Sequence, residues 1–133
     1  MAAIPSFADT PRREAVTIST ANTNRDGTGT MGTLIAAAAT GTLVFRITVQ
    51  AGGTTTAGVI RLFGSNDGGT TKRLIRELLV PAVTPSTTVA AWNGQFPDAA
   101  YQTPMILADA NDILYVSTNN AETFYVRAQA ADL

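Results

Sequence analysis

Apolar and polar residues alternate with a period of two over much of this chain, the pattern of strands packed on one side. In "LVFRITVQ", Leu43, Phe45, Ile47 and Val49 fall on one face, and Val44, Arg46, Thr48 and Gln50 on the other. "AVTIST" sets Val16 and Ile18 against Thr17 and Ser19. "VIRLF" opposes Val59, Arg61 and Phe63 to Ile60 and Leu62. "KRLIRELLV" opposes Leu74, Arg76, Leu78 and Val80 to Arg73, Ile75, Glu77 and Leu79. The same rule predicts strands in "STTVAAW", "MIL", "ILYVS" and "TFYVRAQA". Two segments admit a helix. "TLIAAAA" is rich in the best helix former, and "KRLIRELLV" holds Leu, Arg and Glu. Thr40-Gly41 ends the first quickly, and a tight turn and Pro81 bound the second, so both are read as strands.

Turn signals separate the strands. "ANTNRDGTGT", "AGGTTTAG", "GSNDGGT", the Pro81–Pro85 bend and Asn111-Asp112 are dense in Gly, Asn, Asp and Pro, residues that supply turn geometry. "NGQFPDAAYQTP" reads as a long connection. About eight short strands at regular spacing predict an all-β, single-domain antiparallel β-sandwich, jelly-roll-like. Residues 1–13, with Pro5 and Pro11 and no periodicity, read as an N-terminal arm, and residues 14–133 as the sandwich domain.

Composition narrows the chemistry. The 133 residues are 45 % apolar and only 14 % charged, with a net charge of −1. A neutral surface of Thr, Ser, Asn, Gly and Ala suits broad contact with other protein chains. One lysine, Lys72, and scattered arginines give no footprint for nucleic acid or for a membrane surface. With no cysteine and no histidine, thiolate chemistry, Ser-His-Asp arrangements and imidazole-based zinc sites are excluded. Met1–Ala8 lacks a basic head and a long apolar stretch, so the chain is expected to be made in a host cytoplasm and used without export.

Three local patterns mimic ligand sites. Gly64 and Gly69 have the spacing of the two glycines of a phosphate loop, but Thr70 stands where a lysine is required, and no helix follows. Asn22, Asn24, Asp26 and Gly27 resemble the start of a calcium loop, whose last ligand would be Glu where Thr33 stands. Asp109 and Asp112 are a carboxylate pair with nothing to mark a cleft. No cofactor, metal or enzyme activity is expected. Trp92, Phe96 and Tyr101 cluster near the long connection; Trp92 is read as ending a strand and packing in the core, and the alternative makes Trp92 and Tyr101 platforms on which a glycan stacks.

"ANTNRDGTG", "GTTTAGVIRLF", "VTPSTTVAAW" and "STNNAETFYV" together resemble a family of small all-β proteins encoded among the structural genes of tailed bacteriophages, over roughly Val16 to Val126. The chain departs from that pattern at "LADANDILYV" and at its C-terminus, "RAQAADL". The resemblance implies a virion structural protein. The role expected is a capsid decoration (cement) protein, a homotrimer on the capsid exterior that bridges major capsid proteins. Ile4 and Phe7 would be its apolar anchors, and Arg12 and Arg13 its carboxylate partners. The alternative is a tail, fibre or head-spike component that binds a glycan receptor.

Overall fold

Nine β-strands form two antiparallel sheets in the computed structural model, which describes residues 10–96 and 105–133. They are β1 (Thr10–Ile18), β2 (Gly32–Ala36), β3 (Thr42–Ala51), β4 (Gly58–Ser65), β5 (Arg73–Val80), β6 (Asn93–Phe96), β7 (Met105–Leu107), β8 (Ile113–Thr118) and β9 (Phe124–Asp132). Sheet A runs β1-β9-β3-β6, with β7 also on β3, and sheet B runs β2-β8-β4-β5. β6 pairs with Ile47–Gln50 and β7 with Thr42–Val44, so the two are halves of one interrupted strand along β3. Counted as one, they leave eight strands in two four-stranded sheets, each sheet drawing alternately on the two ends of the chain. That is the jelly-roll arrangement.

The core fills the space between the sheets. Val44, Ile47, Val49, Phe124 and Val126 of sheet A meet Ile60, Leu62, Leu114 and Val116 of sheet B, all essentially inaccessible. Burying such side chains contributes about 1.5–3 kcal/mol each. Apolar alternation locates these residues because sandwich strands bury one face only.

Bulges shift the phase where alternation fails. β3 carries one between Val44 and Arg46. Val44 points inward, Phe45 and Arg46 are both exposed, and the inward set resumes at Ile47 and Val49. The expected face of Leu43, Phe45, Ile47 and Val49 is therefore split, because two residues here oppose one on the partner strand. In β2 the opposite happens: a bulge between Thr33 and Ile35 lets both Leu34 and Ile35 enter the core. In β5, Ile75 is the extra residue opposite Leu62 and Phe63.

Two boundaries move. "STTVAAW" is not a strand. Ser86 Oγ accepts hydrogen bonds from the N–H groups of Thr88 and Val89, and Ser86 N donates to the Val89 carbonyl, closing a local turn in place of a ladder. The strand lies just beyond, at Asn93–Phe96. β1 begins at Thr10, four residues before the boundary placed at residue 14, and pairs with β9 from Thr10 opposite Asp132 onward. Its inward positions at this end are Arg12 and Glu14, polar residues at the rim of the core, so no apolar alternation announces the strand.

Candidate functional site

Each sheet has an outer face, and the two differ in what covers them. On sheet B the outward residues of β4 are Arg61 and Phe63, both buried, at 3 % and 0 % exposure. Phe63 lies opposite Tyr115 and Arg61 opposite Ser117, so all four share one side. The loop joining β1 to β2 closes over this side. Asn22 N donates to the Thr118 carbonyl, and Ala21 bridges Thr118. Gly27, at φ +87°, lies so close to the Lys72 backbone that no side chain fits there. Lys72 Nζ sits 4.7 Å from the centre of the Tyr115 ring, a cation–π contact.

The guanidinium of Arg61 ties this cover down. One Nη donates to the Asn22 carbonyl and the other to Asn119 Oδ1, each at 3.2 Å. Its Nε faces Glu77 Oε2 at 3.4 Å, and Arg25 pairs with the same carboxylate oxygen at 3.3 Å. Burial of an arginine is tolerable only with such pairing.

The calcium-like run is thereby accounted for. Asn22 Nδ2 donates to the carbonyls of Thr28 and Thr30, and its Oδ1 accepts from Asn24 N. Asp26 Oδ1 accepts from both the N–H and the hydroxyl of Thr28, which holds its carboxyl below the usual range. The phosphate-loop mimic is a hairpin tip. Gly69 N donates to Ser65 Oγ, Gly68 N to the Asn111 carbonyl and Thr71 N to Asp67 Oδ1. The amides of Gly68, Gly69 and Thr71 are thus engaged, two within the tip and one by the turn before β8. The bonds from Thr71 N–H and the Ser65 hydroxyl hold the Asp67 carboxyl down to about 2. Asp109 and Asp112 are turn residues that accept from Asn111 N and Ala108 N. Among the described residues, no three His, Cys, Asp or Glu side chains gather to hold a metal ion, and no helix is long and apolar enough to cross a membrane.

The outer face of sheet A carries no such cover from the described residues. Its outward positions form rows across the strands, fixed by register. Pro11, Ala131, Leu43 and Ile106 make the first row. Arg13, Gln129 and the bulge pair Phe45-Arg46 make the second. Ala15, Arg127, Thr48 and Gln95 make the third, and Thr17, Tyr125, Gln50 and Asn93 the fourth. Ile106 is 73 % exposed, with Phe45 and Tyr125 both at 48 %. No acidic residue stands in these rows. Arg13, Arg46 and Arg127 have no ion-pair partner among the described residues.

The residues singled out from the sequence fall in different places. Ile4, Phe7 and Tyr101 lie outside the described residues. Arg13 is exposed on the outer face of sheet A. Arg12 points the other way, into a polar cluster at the end of the sandwich. It donates to Glu14 Oε1 at 2.7 Å, to Asp132 Oδ1 at 3.2 Å and to the Ala36 carbonyl of the opposite sheet at 2.9 Å. Thr42 Oγ1 extends the cluster by donating to Asp132 and accepting from Ala38 N. Partial burial opposes the charge on Arg12, and the bonds to Glu14 and Asp132 outweigh it, so its pKa is raised. Arg12 thus spends its donors within its own chain. Trp92 packs against the core margin, edge-on to Phe124 with ring centres 6.1 Å apart, and its ring lies against Gly94. Trp92 is partly buried in this position. Sequence reasoning missed Arg46, Arg127, Phe45 and Ile106, which only register and a bulge bring together.

No protein-family model and no curated protein matches the sequence. Among solved structures, a chain of the capsid asymmetric unit of cyanophage Pam1 is similar at 13 % identity and a TM-score of 0.49, over 100 % of this chain and 92 % of that one. A likeness of that degree transfers neither a fold assignment nor a role, and the fold given above rests on strand order alone.

Proposed function

We propose that this chain is a structural protein of a tailed-bacteriophage virion, and that it acts as a capsid decoration (cement) protein. It would sit on the shell exterior as a homotrimer and bridge neighbouring major capsid proteins, with no catalytic role. The observation that carries this reading is the contrast between the two outer faces: on sheet B the chain's own loop covers Arg61 and Phe63, with Leu79 left exposed, while on sheet A the described residues supply no such cover and the outward rows hold no acid. Support also comes from the segments that resemble phage structural proteins and from the jelly-roll order, an architecture found in viral capsid domains and also in lectins. Many copies, each with a modest interface, would hold a shell through avidity.

Two measurements test it. Quantitative mass spectrometry of purified particles should find hundreds of copies; a few, or a few dozen, would move the protein to a tail, fibre or head spike and end this reading. The second concerns the N-terminal anchors, Ile4 and Phe7. Because β1 starts at Thr10, the informative truncation stops at residue 9. Deleting residues 1–9 should abolish shell occupancy and leave the thermal midpoint unchanged. A truncated protein that decorates particles normally would remove the anchor role.

A further inference from the structure

The three arginines on the outer face of sheet A are neighbours. Arg13 and Arg46 flank Gln129 on either side, about 5 Å away per strand. Arg127 follows two positions before Gln129 on the same strand, about 7 Å along it. The outward residues beside them are Gln, Thr, Ala, Asn and Tyr, none of which neutralises charge. At one corner Leu43, Phe45 and Ile106 form an apolar edge to this basic field.

We infer that this face docks an acidic protein surface, with the arginines pairing carboxylates and the Leu43–Phe45–Ile106 corner as its apolar anchor. The inference deepens the proposed function by stating what the shell must present.

Charge selects the occupant. Three of the nine basic residues lie here, which leaves six against eight acidic ones among the other described residues, a balance of −2. A second copy cannot use the same patch face to face, since three like charges would oppose three. A nucleic acid would meet only three cations on a molecule that is otherwise negative, and would leave the apolar corner unused. A protein surface uses both parts, because arginine, aromatic and aliphatic anchors surrounded by neutral polar residues are what interfaces concentrate. The face is about 19 Å by 30 Å, roughly 600 Å², somewhat below the ~800 Å² per partner of a standard interface. One copy therefore binds weakly, and several copies bind firmly.

The test titrates the full-length, isotope-labelled protein with a glutamate-rich decapeptide and, separately, with a 20-base-pair DNA duplex, and follows amide shifts. Peptide shifts should map to β1, β3 and β9 and fade with salt. They should vanish in Arg13→Glu/Arg46→Glu/Arg127→Glu, and fall by about tenfold in affinity in the milder Arg13→Gln/Arg127→Gln. On particles the triple variant should lose occupancy by at least about a hundredfold, while Leu79→Glu, a change on the other sheet, should not. Peptide shifts that are absent or centred on sheet B, tighter binding to DNA than to the peptide, or normal decoration by the triple variant would each overturn the inference. If the unaltered protein decorates no shell, the proposed function fails, and the peptide titration still decides this inference.

Discussion

Arg61 and Arg46 both point outward from a central strand of a sheet, and their situations are opposite. Arg61 makes two hydrogen bonds and one ion pair under a loop. Arg46 stands in water beside a bulge. Phe63 and Phe45 make the same contrast, at 0 % and 48 % exposure. Residue type is alike in the two pairs, though regular alternation turns Arg61 and Phe63 outward and a bulge turns Phe45 and Arg46 outward. The difference comes from thirteen residues between β1 and β2, which fold over Arg61 and Phe63 of sheet B, while no described residue covers Arg46 and Phe45. An outer strand position is thus buried or left exposed according to what a connecting loop does.

The sharpest way to break this comparison is to truncate the two phenylalanines. Phe63→Ala should cost about 3–5 kcal/mol, as for a core residue. Phe45→Ala should stay within about 0.5 kcal/mol. Urea unfolding of both variants decides it, and equal costs would mean that the loop does not seal sheet B. Next comes the guanidinium pair. Arg61→Ala should destabilise by about 2–4 kcal/mol, since it strands the Asn22 carbonyl and the Asn119 amide and leaves Glu77 to Arg25. Arg46→Ala should be near neutral in thermal melts. Smaller again is Asn22→Ala, expected to cost about 1–3 kcal/mol by freeing the loop carbonyls it holds; its amide exchange should quicken across residues 22–30 and on β4, and not on β9.

The smallest effect is a titration. Asp67 ionises at about 2 in the folded protein, below an unfolded value of about 3.9. Its hydrogen bonds therefore stabilise the β4–β5 tip fully above about pH 4, and that stabilisation is lost as pH falls through about 2. Carboxyl-carbon NMR should show the low value, and Ser65→Ala should raise it. An unchanged value in that variant would leave the low value to Thr71 and Arg73.

Much of the fold was legible in the chain. Period-two alternation located β3, β4, β5, β8 and β9, because each buries one face against a single core. The turn residues of "GSNDGG" marked the hairpin between β4 and β5. What escaped has physical causes. Bulges in β2, β3 and β5 change phase without a composition signal, so the outward placement of Phe45 was not readable. β1 begins with rim polar residues, and "STTVAAW" has strand composition but closes on Ser86 Oγ. The candidate surface was the least legible part. Arg13, Arg46 and Arg127 are scattered through the sequence, and only antiparallel register brings them to one field. Arg12 illustrates the converse, a neighbour of Arg13 that strand alternation sends to the other side of the sheet.

The open borders of the two sheets bear on behaviour at high concentration. Sheet A ends on β1, which carries Pro11, and on a strand broken into pieces of four and three residues. Sheet B ends on β2, five residues long and bulged, and on β5, bulged at Ile75. Proline, brevity and bulges each spoil a border as a template for adding strands from another molecule. In the proposed role, such borders would favour contact between crowded copies through side chains over contact through the backbone ladder.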